Sequence, residues 1–300
     1  MNKLINIIYK IILKLDDFGI VRLNDNTFLK IKYKLNFNSD LNLNNPQTFS
    51  EKLQWLKLYD RRDIYTTMVD KYEVKKYVSD IIGKEYIIPT LGIYDSYDDI
   101  DFEKLPNKFV MKCTHDSGSI VVCKDIKTFD TAAARKILNR ALKKNFYYLG
   151  REWPYKNVKP RIIIEKYMED NETKELRDYK FFCFNGEVKF MFVATDRAIH
   201  ETKFNYYDLD FKLLPFTQHY PNDKRPIQKP INFDKMIALA EKLSKNIPHV
   251  RVDFYEINGK LYFGEFTFYH FAGFMPFEPE LWDKKIGDML DLSLVDKNEK

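Results

Sequence analysis

Three cysteines in 300 residues are too few for a disulfide scaffold, and none stand as Cys-x-x-Cys. A reducing, cytosolic setting is therefore expected, with no structural zinc site. Glycine is also scarce, 10 residues in all, so its positions carry information. No stretch of about 18 uninterrupted apolar residues occurs, which excludes an integral membrane helix. Nor do the 49 lysines and arginines gather into a basic block, which argues against a nucleic-acid partner. Against 44 acids they leave a net charge of +5, too small for a disordered polyelectrolyte. What is abundant is hydrophobic residues, 45%, with 16% aromatic. That is ample for a packed core.

The N-terminal segment from Leu4 to Leu15 is rich in Leu, Ile and Tyr, interrupted by Lys10 and Lys14, with no small-residue cleavage site after it. Lys3, Asn6, Lys10, Lys14 and Asp17 recur at three- and four-residue intervals, so the segment reads as a helix with a narrow polar stripe. It either packs on its own domain or lies at the inner face of a membrane through residues 1–17.

Punctuation divides the chain into a helical region, 1–65, then 66–168 and 169–300. In the first, Thr48-Phe49-Ser50-Glu51 is a capping box opening a helix. In the second, 66–82 reads as one helix, 86–94 as extended, 109–123 as a strand pair, 130–145 as a helix and 161–167 as a strand. In the third, Asn185-Gly186 and Asn258-Gly259 mark two hairpins, flanking a helix over 233–246. The predicted class is α+β.

Three segments carry candidate chemistry. Lys112 sits in an apolar strand ahead of a small-polar turn containing His115, Ser117, Gly118 and Ser119, whose backbone N–H groups suit phosphate oxygens. The simpler alternative is an ordinary hairpin with an exposed lysine. A two-residue Asn258-Gly259 turn would set Asp253 opposite Gly264 and send Glu265 to the other face; the expected connection is a three-residue loop, 257–259, which pairs Arg251 with Glu265 and Asp253 with Phe263 and brings both acids to one face. Two acids so placed call for a cation such as Mg²⁺. The alternative there is an Arg251–Glu265 ion pair with Asp253 solvated. Third, the strand ending at Glu165-Lys166-Tyr167-Met168, followed by Glu172, suits a nucleobase edge and ribose hydroxyls.

In this order the segments, together with Asp70-Lys71, resemble the ATP-grasp superfamily over about 66–290. Three longer strings, Pro46-Gln47-Thr48-Phe49-Ser50-Glu51-Lys52-Leu53-Gln54-Trp55, Asp178-Tyr179-Lys180-Phe181-Phe182-Cys183-Phe184-Asn185-Gly186 and Tyr262-Phe263-Gly264-Glu265, resemble its TupA-like branch, associated with teichuronopeptide synthesis. The resemblance implies an ATP-grasp fold in which two α+β subdomains, 66–168 and 169–300, grip ATP behind a helical N-terminal region. It implies that Lys71 and Lys112 contact phosphates and that Ser117, Gly118 and Ser119 close over them. Glu165, Lys166, Tyr167 and Met168 would line the adenine, while Glu172, Glu175 or Asp178 reaches the ribose beside Lys180. Asp253, Glu265 and Thr267 would hold Mg²⁺, Thr267 standing where many members have Asn. Arg251 would neutralise the phosphoryl group, with Lys112 and His115 as further catalytic candidates. The implied function is a carboxylate–amine ligase acting through an acyl phosphate on a surface-polysaccharide precursor such as a uronic acid. The competing enzyme reading is a nucleotide-sugar glycosyltransferase using Asp208-Leu209-Asp210.

Overall fold

The computed structural model describes residues 3–171, 176–196 and 202–295. Five helices come first: α1 (Lys3–Asp17), α2 (Asp25–Phe37), α3 (Phe49–Tyr59), α4 (Ile64–Val69) and α5 (Glu73–Ile82). The capping box at α3 forms as its sequence requires, with Thr48 accepting from the Glu51 N–H and Glu51 accepting from the Thr48 N–H. The single helix expected over 66–82 is instead broken in two. Asp70 causes the break: its Oδ1 accepts from the N–H groups of Tyr72 and Glu73, and Oδ2 accepts from Arg161 at 2.8 Å. A short acidic side chain competes in this way with the helical ladder. Lys71 is thereby lifted out of the helix.

A four-stranded antiparallel sheet follows, built from β1 (Thr90–Tyr94), β2 (Phe109–Cys113), β3 (Ile120–Cys123) and β4 (Ile162–Lys166) in the order β1-β4-β2-β3. Helix α6 (Thr131–Leu142), capped by Asp130, lays Ala134 and Leu138 on Phe109, Met111, Cys113, Ile162 and Ile164. Side chains alternate along a strand, so Lys112 projects from the other face of β2. The short helix α7 (Tyr147–Gly150) leads from α6 toward β4.

The larger sheet has five antiparallel strands. Three of them, β5 (Asp178–Phe184), β6 (Glu187–Thr195) and β7 (Lys203–Tyr207), precede the two-residue β8 (Thr217–Gln218) and helix α8 (Phe233–Ser244). Then come β9 (His249–Ile257) and β10 (Lys260–Thr267), giving the order β10-β9-β5-β6-β7. β8 pairs with β11 (Phe277–Glu278), and α9 (Leu281–Gly287) follows. α8 covers one face, packing Phe233 against Phe181 at a ring separation of 5.8 Å. The opposite face is an aromatic layer: Phe182 stacks on Phe190 at 4.4 Å, and Phe49 of α3 meets Phe182, Phe184 and His249 edge-on. Much of the aromatic content is placed here. The same face carries Lys180 opposite Asp253 and Phe182 opposite Arg251, so ionic groups continue an apolar floor.

Candidate functional site

The acidic ribbon is the hairpin β9–β10. Its connection is the two-residue turn Asn258-Gly259, with Lys260 paired to Ile257, and not the three-residue loop expected. Both turn residues are left-handed, φ +51° and +73°, the conformation whose twist matches that of the flanking strands. The face-sharing is recovered further along. Phe263 pairs with Phe254 but Phe266 with Val252, so Gly264 and Glu265 together oppose Asp253 in a β-bulge. The bulge shifts parity by one and puts Thr267, not Glu265, opposite Arg251. Glycine suits this point because a Cβ at 264 would lie 3.1 Å from the Asp253 carbonyl oxygen.

Arg251 is the hub. Its Nε donates to Asp253 Oδ1 at 2.7 Å, and its Nη2 reaches Asp253 Oδ2 at 2.8 Å, Thr267 Oγ1 at 2.8 Å and Glu265 Oε1 at 3.3 Å. Nη1 donates to His270 Nδ1 at 2.7 Å, which requires that nitrogen to be unprotonated. Burial, with Arg251 beside it, holds the His270 imidazole well below its ordinary range. Lys180 also bonds Asp253 Oδ2. Asp253 is wholly buried, so it is not the solvated acid of the ion-pair reading, although the Arg251–Glu265 contact of that reading is present. Burial alone would raise the Asp253 carboxyl, but Arg251 and Lys180 outweigh it and hold it below its usual value.

One nitrogen of a cation thus meets oxygens of all three candidate metal ligands. Two carboxylates and a hydroxyl form a hard donor set of the kind that suits Mg²⁺. Among the described residues no three His, Cys, Asp or Glu side chains cluster as a metal site, so the ribbon would hold the ion only jointly with a ligand.

Opposite the ribbon lies a lysine-rich wall. Lys112 Nζ and Lys75 Nζ bind the two oxygens of Glu165 at 2.8 and 2.5 Å. Burial pushes this carboxyl up, yet the two lysines bring it down to about 2. Lys71 bonds the carbonyl of Asp116, and its backbone N–H donates to Thr114 O. Burial lowers the Lys71 ammonium, against the pull of Asp116 and Glu265. Lys71 and Glu265 line one cavity of about 20 Å³.

The turn between β2 and β3 is held from beneath. Ser119 donates to Asp116 Oδ1 at 2.6 Å and accepts from the Cys113 N–H, while Ser117 and Gly118, φ +105°, form the exposed tip. His115 points away from the tip, its Nε2 3.2 and 3.1 Å from the carbonyls of Ala141 and Lys144 at the end of α6. A cavity of about 280 Å³ lies between this turn and α6, with Arg140 and Lys144 in its walls.

A profile of TupA-like ATP-grasp proteins matches residues 51–291. The chain belongs to the TupA-like ATP-grasp family. Its two antiparallel sheets with their helices are the ATP-grasp fold. Similar solved structures include a D-alanine–D-alanine ligase from Bacillus anthracis complexed with ATP, 15% identical, covering 67% of this chain and 55% of that one at a TM-score of 0.38. The ATP-grasp ligase PsnB with minimal precursor, Mg and ADP is 8% identical over 73% of this chain and 57% of its own, TM-score 0.39. A D-alanine–D-alanine ligase from Helicobacter pylori is 16% identical over 75% and 61%, TM-score 0.36. The chain thus spans little more than half the length of these structures. No curated protein matches it.

Within this TupA-like ATP-grasp chain, Lys71 lines one cavity with Glu265, and Arg251 ties Glu265 to Thr267 and to Asp253, which Lys180 also bonds, while Lys112 joins Lys75 on Glu165. Glu165 turns its carboxylate to lysines, and Lys166 at the strand end is exposed. Tyr167 and Met168 follow, half-buried, with Lys108 5.7 Å above the Tyr167 ring. Asp178 is buried 3.5 Å from Lys180. Glu172 and Glu175 lie outside the described residues. Sequence reasoning missed Lys75, Arg161 and Lys57. Lys75 sits in a helix with no motif around it, and Lys57 lies two residues past the TupA-like string, on the same helix.

The TupA-like string in α3 also finds its place. After Thr267 the chain makes a turn in which Phe271, Ala272 and Gly273 are all left-handed. Gln54 donates to Gly273 O at 2.7 Å, and the fully buried Lys57 donates to Ala272 O at 2.7 Å and Gly150 O at 2.8 Å. Conformations this costly persist only when the surroundings fix them. α3 supplies the fixing, and the string is a brace for the end of the ribbon.

Proposed function

We propose that the protein is an ATP- and Mg²⁺-dependent carboxylate–amine ligase, forming an amide through an acyl phosphate on an acidic precursor of a cell-surface polysaccharide. The observation that carries the reading is the convergence of Asp253, Glu265 and Thr267 on a single nitrogen of Arg251, with Lys71 across the same cavity. The substrate class rests on family membership alone.

Bound with ATP, Mg²⁺ supplies charge compensation for phosphoryl oxygens, and Asp253, Glu265 and Thr267 would hold it. The chain's own residues do the positioning. Lys71 and Lys112 present ammonium groups to the phosphates, and the exposed N–H groups at Ser117 and Gly118 cover them. Arg251, released from the acids, meets the negative charge of the phosphoryl group as it passes to the substrate carboxylate. An amine then attacks the acyl phosphate carbon and phosphate leaves. A cavity of about 20 Å³ holds one water at most, against roughly 300–1,000 Å³ for a ligand pocket, so nucleotide binding would require the Lys71 and Glu265 sides to part.

The glycosyltransferase reading loses its motif. Asp208 accepts from the N–H groups of Asp210 and Lys212, closing its own turn, and Asp210 pairs with Lys212 at the surface. Calorimetry with a non-hydrolysable ATP analogue and Mg²⁺ tests the proposal. Binding is expected, and loss of binding in Glu265→Ala. Failure of the unaltered protein to bind, or binding of UDP-sugar in its place, overturns it.

A further inference from the structure

Helix α1 divides its surface unequally. One side is fixed to the body: Leu13 packs toward the cluster of Phe28, Leu29 and Tyr33, and buried Asp16 binds Arg151 Nη2 at 2.7 and 2.9 Å. The Leu23 N–H also donates to Asp16 Oδ1 at 2.8 Å. The helix cannot roll without breaking a buried ion pair, so the face it turns outward is a fixed one. That face is apolar. Ile11 stands four residues after Ile7 and three after Ile8, and Phe18 lies just past the helix; Ile7, Ile8, Ile11 and Phe18 are 55, 44, 53 and 66% exposed, and the following turn adds Ile20 at 70% and Val21 at 40%. Lys10 and Lys14 are exposed along one edge of it, with Lys14 Nζ 5.9 Å from the Phe18 ring.

We infer that this face rests on an anionic lipid bilayer. Soluble proteins rarely expose so many large apolar side chains side by side. A basic edge beside an apolar face is complementary to a surface with hydrocarbon below and negative headgroups above, and lysine stems lie along apolar groups while their ammonium ends stay at the headgroups. The helix has 15 residues, about 22 Å at 1.5 Å per residue, short of the roughly 30 Å hydrocarbon core. No helix among the described residues is long and apolar enough to cross a membrane. α1 would therefore lie along the interface. The inference does not depend on the ligase reading, because it uses none of the cleft residues.

Flotation of the full chain with vesicles of phosphatidylcholine, alone or mixed with phosphatidylglycerol, tests it. The protein should float with the anionic vesicles and at least tenfold less with the neutral ones. Ile7→Gln with Ile11→Gln should abolish flotation at unchanged melting temperature, since both side chains already face solvent. Lys10→Glu with Lys14→Glu should weaken it by roughly tenfold or more. Absence of flotation with the anionic vesicles overturns the inference. So does a concentration-dependent dimer in sedimentation that the Ile7/Ile11 variant dissolves while lipid binding is nil, because the face would then belong to a second copy.

Discussion

Replacing Glu165 by glutamine removes the charge between Lys75 and Lys112 while keeping the shape of the side chain. The carboxyl titrates near 2 in the fold against an ordinary 4.5, a gap worth about 3 kcal/mol of stability at neutral pH. A folded value below the unfolded one means that the unfolded chain binds more protons between the two. The contribution is therefore complete above about pH 4.5 and disappears as pH falls through about 2. Glutamine has no such titration, so the stability difference between the two proteins must itself depend on pH. Urea unfolding at pH 7, 5 and 3 should show a deficit of about 3 kcal/mol at pH 7 that shrinks to less than half by pH 3. A deficit below about 1 kcal/mol at pH 7, or one that stays constant down to pH 3, would refute the assignment of Glu165 as the shared partner of two buried-side lysines.

Asp253→Asn strands Arg251 and Lys180 in a buried setting and should cost about 3–5 kcal/mol in unfolding, with Mg²⁺–nucleotide binding lost in calorimetry. Adding Lys180→Met should restore part of the stability and none of the binding. Gly264→Ala drives a Cβ against the Asp253 carbonyl oxygen and should destabilise by about 1–3 kcal/mol in thermal unfolding. His115→Phe frees the Ser117–Gly118 turn, proposed to cover the phosphates, from the end of α6. Steady-state kinetics should show KM for ATP rising about tenfold, the equivalent of 1–2 kcal/mol of lost hydrogen bonding, with kcat nearly unchanged. A fall in kcat alone would instead place His115 in the chemistry.

Much of this arrangement could be read in the sequence because its signals are local. The capping box at Thr48 and the Asn-Gly turn at 185 each dictate a conformation from two to four adjacent residues, whereas at 258 the Asn-Gly pair marked the hairpin but the three-residue loop read there gave way to a two-residue turn. The bulge at Gly264-Glu265 could not be read that way. Nothing in a single strand says where its pairing slips, and the slip depends on the neighbour, Asp253, against whose backbone Gly264 lies. The break at Asp70 was missed for a related reason, because it needs Arg161, ninety-one residues away, to hold the carboxylate. The two lysines on Glu165 come from different elements, β2 and α5, and no spacing rule links them. The family strings marked positions whose purpose appeared only with coordinates, Gln54 above all.

The brace formed by α3 carries a consequence for how the chain matures. Gln54 and Gly273 are 219 positions apart, and all the chain between them must be made before they can meet. Contacts of such long range close late and slowly. During synthesis the early helix must therefore wait, its polar groups wet, for the final hairpin to arrive. A protein shortened to begin after residue 60 would retain every acid and base of the ribbon and still lack what sets its final curl.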